Sequence, residues 1–167
     1  VALEIVRLTA SHNVLPFECG EEEIERHLKS DALWQNEELF GATYVAVDPA
    51  DPAKVYGFYS LQVAELINKS NPPGEKKLKG LSMPIVKVTH FGVQKASQRQ
   101  KIGETMLFDL YRRAYDVAEH VGCYAVCLEA INNDVVGFYN KYGMVGYAID
   151  PRRLWLRISD VPKLGLL

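Results

Sequence analysis

The chain has 167 residues, 48% hydrophobic and 24% charged, which fits one soluble globular domain with one substantial core. No apolar run is long enough for a membrane helix, and the start VALEIVRL lacks the basic region and cleavage site of a signal peptide, so a cytoplasmic protein is expected. A net charge of -2, from 19 basic and 21 acidic residues, argues against a grip on nucleic acid dominated by overall charge, though a local basic face stays open.

The elements follow in chain order. Leu3 to Leu8 alternates apolar and polar residues as a half-buried strand does. Phe17-Glu18-Cys19-Gly20 leads into EEEIERHLKSDALW, where glutamates in the first turn favour a helix and Ile24 and Leu28 mark its inner face. Ala42–Val47 and Val55–Val63 read as strands, and the intervening DPADPAK makes them a hairpin. Residues 68 to 80, with two prolines, two glycines and four lysines, read as a loop or lid. Pro84 opens a strand over Ile85–Val93, and the polar turn KASQRQKIG follows.

Apolar residues from Met106 to Val121 recur at helical spacing, which predicts an amphipathic helix over 102–121. Tyr124–Ala130 reads as a buried strand, with Glu129 as a water-ordering or satisfied core carboxylate. Asn132 or Asn133 caps a short helix over 134–142 that Gly143 stops. Tyr147 and Leu154–Ile158 suggest two closing strands. The mixture is an α/β or α+β layer fold in a single domain over 1–167.

Chemistry concentrates between Ile85 and Met144. The turn after Val93 ends at a helix N-terminus, where backbone N–H groups and the helix dipole suit an anion. Gln98, Arg99, Gln100 and Lys101 add donors there, and Gly103 permits close backbone approach. Tyr139 carries a phenol that stays protonated at neutral pH and can protonate a departing thiolate if it faces a cleft, whereas Phe138 reads as core packing. Cys19, Cys123 and Cys127 lack metal-site spacing, and the last two, at strand spacing, read as buried apolar residues; no metal site is expected.

Gln98-Arg99-Gln100-Lys101-Ile102-Gly103 resembles the acetyl-CoA motif Gln/Arg-x-x-Gly-x-Gly/Ala of the Gcn5-related N-acetyltransferases (GNAT), with Lys101 where the first glycine belongs. Asn132 ahead of Phe138-Tyr139, and FYNKYGM beside the family's FYxKxGF, extend the resemblance. It implies a central mixed β-sheet, flanked by helices and splayed between its fourth and fifth strands. Pantetheine would hydrogen-bond the backbone of Phe91-Gly92-Val93 as a surrogate strand, with a contact from Asn132, and the pyrophosphate would lie on the turn from Gln98 through Ile102 and Gly103 to Glu104. Tyr139 would be the acid for the leaving thiolate, after direct attack by an amine. The departure at Lys101 motivates one rival, a catalytically silent CoA-binding module.

A narrower resemblance covers nearly the whole chain: Phe17-Glu18-Cys19-Gly20, Thr43–Val47, Gly57-Phe58-Tyr59-Ser60-Leu61 and Arg153-Leu154-Trp155-Leu156 occur in the order of the toxin-like acetyltransferases of bacterial toxin–antitoxin pairs. This implies acetyl-CoA as co-substrate, the amino group of aminoacyl-tRNA as acceptor, a ribbon-helix-helix antitoxin and a homodimer. A tRNA acceptor calls for Lys87, Arg99, Lys101, Arg112, Arg113, Arg152, Arg153 and Arg157 on one face. His90 stands as a substrate-side contact or a partly exposed strand histidine. The other rival is an ordinary small-molecule or protein N-terminal acetyltransferase, which an acidic cleft would favour.

Overall fold

The strand and helix periods of the sequence reappear in a computed structural model, which describes residues 2–67 and 80–166. Most of the expected loop over 68–80, including Lys76, Lys77 and Lys79, lies outside the described residues. Among the described residues, seven strands form one mixed sheet in the order β1-β2-β3-β4-β5-β7-β6. They are β1 (Glu4–Arg7), β2 (Ala42–Val47), β3 (Gly57–Ile67), β4 (Ser82–Val93), β5 (Ala125–Glu129), β6 (Val145–Tyr147) and β7 (Asp150–Arg157). The helices are α1 (Glu22–Arg26), α2 (Ala32–Glu37), α3 (Ile102–Val121) and α4 (Val136–Lys141).

Residues group into two compact units, one of 1–62 with 89–110 and the other of 63–88 with 111–167, so that β3, β4 and α3 each pass through both. In the first unit β1, β2 and the start of β3 are antiparallel, and the pairing of Ala42 with Leu61 through Ala46 with Gly57 makes the expected hairpin. Its core gathers Leu8, Phe17, Ile24, Leu28, Val45, Val47 and Phe58. Ile24 and Leu28 are the inner face that the sequence predicts. A single π-helical turn, His27–Asp31, separates α1 from α2 and was not foreseen. Buried Asn36 ties α2 to β2 and to the residue that follows β1: its amide donates to the Leu8 carbonyl at 2.7 Å and its Oδ1 accepts the Thr43 N–H at 2.9 Å.

In the second unit β4 and β5 run parallel from Ile85 opposite Ala125 to Val88 opposite Leu128, while β4 itself continues to Val93. β7 pairs antiparallel with β5 and with β6, where the register shifts at Gly146/Tyr147. Met83, Ile85, Ala125, Cys127, Tyr147 and Trp155 form the core. Burial pushes the Cys127 thiol up to about 12, so it behaves as the small apolar residue expected. Glu129 differs from expectation. It shares a face with the core residues Ala125 and Cys127, but it is the last residue of β5, where its side chain is 62% exposed and pairs with Arg152 at 3.6 Å.

Candidate active site

The turn after β4 is laced to the segment ahead of α1. Gln94 takes the Glu18 N–H on its Oε1 at 3.1 Å, and the Lys95 N–H donates to the Glu18 carbonyl at 2.6 Å. Gln98 donates its carboxamide N–H to the carbonyls of Cys19 and Val93, each at 3.1 Å. The Phe17-Glu18-Cys19-Gly20 motif is itself braced, since Glu25 Oε2 accepts the N–H groups of Cys19 at 3.2 Å and Gly20 at 3.0 Å. The side chain of Gln98 therefore shapes the turn.

Arg99 and Lys101 hold left-handed backbone, with φ of 68° and 62°. That is the physical content of the motif's glycine: the position needs positive φ, which glycine adopts without a Cβ penalty and lysine adopts with strain. Arg99, Gln100 and Lys101 are exposed, and Gly103 and Glu104 are half-buried in the first turn of α3. Ile102 is buried and would approach a Cβ placed on Gly57 to 3.4 Å, so only its backbone can serve an anion. Gly92 has a packing duty as well, because a Cβ there would stand 2.9 Å from Ile24 Cγ2. Phe91 and Val93 flank it on β4, both half-buried.

In the second unit Asn132 is the cap that the sequence predicts. Its Oδ1 accepts the N–H groups of Asp134 at 2.9 Å and Val135 at 3.3 Å, which orients the carboxamide. Gly143 ends α4 at φ 95°. Tyr139 is buried at 6% exposure, and Phe138 beside it is half-buried. With only six residues in α4, helical phase turns position 139 inward and leaves its neighbour at the margin. Burial holds the Tyr139 phenol well above the ordinary tyrosine range. Tyr111 sits close enough for a charge on Tyr139 to raise its own phenol further, and its hydroxyl donates to the Tyr142 carbonyl at 3.0 Å.

Two of the arginines that a tRNA-binding face would call for are engaged locally. Arg153 lies over the Tyr147 ring at 4.8 Å and Arg157 over Tyr124 at 5.3 Å. One grouping escaped the sequence reading altogether: a cleft of about 310 Å³ in the first unit, lined by Glu23, Arg26, His27, Asp31, Gln35, Gln62, Thr89 and His90. Glu23, His27, Asp31 and Gln35 recur every four residues, but no local spacing links them to Gln62 or to Thr89 and His90, which lie on two further segments.

No family model matches the chain. A curated relative, the tRNA-acetylating toxin of Mycobacterium tuberculosis, is 23% identical over 158 residues, 95% of this chain and 93% of that protein. Among solved structures, a Tyr-to-Phe mutant of KacT superposes with a TM-score of 0.89 at 22% identity, covering 97% of this chain and 98% of its own. AtaT complexed with acetyl-methionyl-tRNAfMet gives 0.88 at 20% identity, covering 98% and 99%. Over nearly its full length the chain is similar in sequence and fold to the tRNA-acetylating toxin, KacT and AtaT. AtaTR bound with AcCoA matches with a TM-score of 0.83 at 21% identity over 98% of both chains. The likeness in fold extends over the mixed sheet and the helices of this chain.

Proposed function

We propose that this chain is a single-domain N-acetyltransferase that moves the acetyl group of acetyl-CoA to the amino group of aminoacyl-tRNA. The observation that carries the reading is full-length likeness, in sequence and fold, to proteins described as acetylating tRNA or bound to an acetylated aminoacyl-tRNA. The backbone of Phe91-Gly92-Val93, on the part of β4 beyond the last β5 partner, suits pantetheine, with Asn132 as a further contact. The turn Gln98–Glu104 suits the pyrophosphate through its N–H groups and the cations of Arg99 and Lys101.

The amine lone pair attacks the thioester carbonyl, the C–N bond forms, and the C–S bond breaks with its electrons going to sulfur. Tyr139 supplies the proton to that sulfur. Its raised pKa keeps the phenol protonated until then, and a thiolate formed in low dielectric is itself strongly basic. The protein would act in the cytoplasm, restrained by a small ribbon-helix-helix antitoxin, and as a homodimer; AtaT has been solved with the C-terminus of its antitoxin. Among the described residues no helix is long and apolar enough to cross a membrane.

The test is CoA thiol release with aminoacyl-tRNA as acceptor. Tyr139→Phe should lower turnover tenfold or more, about 1.4 kcal/mol of barrier, while acetyl-CoA binding persists. Equal release by parent and variant removes Tyr139 as the acid. Growth arrest on expression, lost in the same variant, supports the toxin reading. An unaffected culture at high expression counts against it. Glu23 and Asp31 outnumber Arg26 in the polar cleft, which favours a second reading with small cationic amines as acceptors. Acetylation of such amines but not of aminoacyl-tRNA selects it.

A further inference from the structure

The cleft in the first unit contains a buried polar chain that the reaction above leaves unused. His27, 7% exposed, lies between two rings: Phe58, stacked at 6.3 Å, and His90, stacked at 3.6 Å with 3° between the planes. His27 Nε2 meets Ser60 Oγ at 3.0 Å, and Ser60 Oγ meets Thr43 Oγ1 at 2.6 Å. Thr89 Oγ1 donates its single proton to the Ser60 carbonyl at 3.3 Å. Its contact with His90 Nδ1 at 3.0 Å is then one in which the ring nitrogen donates. That places the His90 proton on Nδ1 and the basic lone pair on Nε2.

We propose that this cleft is the acceptor-amine pocket and that His90 takes up the proton which the incoming ammonium must lose, with His27 as the positioning residue that fixes the His90 ring. The assignment deepens the acetyltransferase reading and rests on it. His90 directly precedes Phe91, whose backbone is assigned to pantetheine, so the two would place the amine and the thioester on consecutive residues of β4. Two imidazolium rings repel across a 3.6 Å stack, so a first proton on the pair opposes a second. Burial and the neighbouring ring push His27 down to about 4, so His27 stays neutral in its place against His90. The groups facing the pair are Glu23 and Arg26 from α1, Asp31 from the π turn, and the neutral Gln35, Gln62 and Thr89. Two carboxylates against one guanidinium favour a cationic amine over an anionic group.

The protons balance. The acceptor nitrogen loses two as it becomes an amide: one goes to His90 Nε2, and the second passes through water to the Tyr139 phenolate, which has given its own to sulfur. His90 then releases its proton to solvent.

The experiment measures kcat/KM for acetylation of aminoacyl-tRNA at pH 6.5 and 8.5 in the parent and in His90→Gln. An α-amino group titrates near pH 8 and needs a base most at the lower pH. The expected loss is tenfold or more at pH 6.5, under about threefold at pH 8.5, with acetyl-CoA affinity unchanged. His90→Ala should regain activity with added imidazole, which a merely structural role would not allow. An equal loss at both pH values, or no loss, overturns the assignment. Independently, methionine amide added without acetyl-CoA should move the imidazole Cε1–H resonances of His27 and His90, and unmoved resonances also overturn it. If the parent fails on aminoacyl-tRNA yet methionine amide moves those signals, the tRNA reading falls and the cleft stands as an amine pocket.

Discussion

Gly92 and Lys101 show how single residues carry opposite backbone demands in one short stretch. Gly92 is needed for space, so Gly92→Ala should cost about 1–3 kcal/mol by overpacking against Ile24, read from the denaturant midpoint. Lys101 sits where conformational freedom is needed. Lys101→Gly should therefore hold or raise stability by up to about 1 kcal/mol, while the loss of its ammonium weakens acetyl-CoA binding and flattens its salt dependence.

His27 makes a third demand. Its folded pKa, near 4, is depressed from 6.5, so between those values the unfolded chain binds the extra proton and stability falls as pH falls. Below pH 4 both states are protonated and the loss is complete, at up to about 3 kcal/mol. In urea titrations across pH 4 to 6.5, His27→Gln should flatten this slope; an unchanged slope would place the titration elsewhere.

At the scale of elements, α4 and the turn before it join a cap to a ligand contact. Asn132→Asp keeps an oxygen for the Asp134 and Val135 N–H groups but removes the amide donor. It should hold stability within about 0.5 kcal/mol and weaken acetyl-CoA binding, whereas Asn132→Ala should lose about 1 kcal/mol as well. Equal binding by parent and Asn132→Asp would leave Asn132 as a cap alone. The limits of α3 and α4 were legible in the sequence because an apolar period, a capping Asn132 and a positive-φ Gly143 act within a few residues of one another. The π turn at His27–Asp31 was not, since tertiary packing inserts a wider turn into a continuous helical pattern. The burial of Tyr139 and the partial exposure of Phe138 likewise depended on the phase of a helix too short to show a period.

For the molecule as a whole, acetyl-CoA should act as a stabilising ligand of the native state. At a hundredfold excess over its Kd it adds about 2.7 kcal/mol, which for a chain of this size raises Tm by about 5–10 °C. A melting curve unmoved by acetyl-CoA would count against the cofactor reading. From the residue order alone came the strand and helix succession, the hairpin, the turn into α3 and the resemblance to acetyltransferase toxins, all written in short-range periods, turns and caps. The folded chain alone revealed that Gln98 braces the turn through Cys19, that Gly92 makes room for Ile24, and that His27 stacks on His90 within a polar cleft. Those partners come from separate segments, and contacts of that kind arise from the path of the chain, which local spacing does not encode.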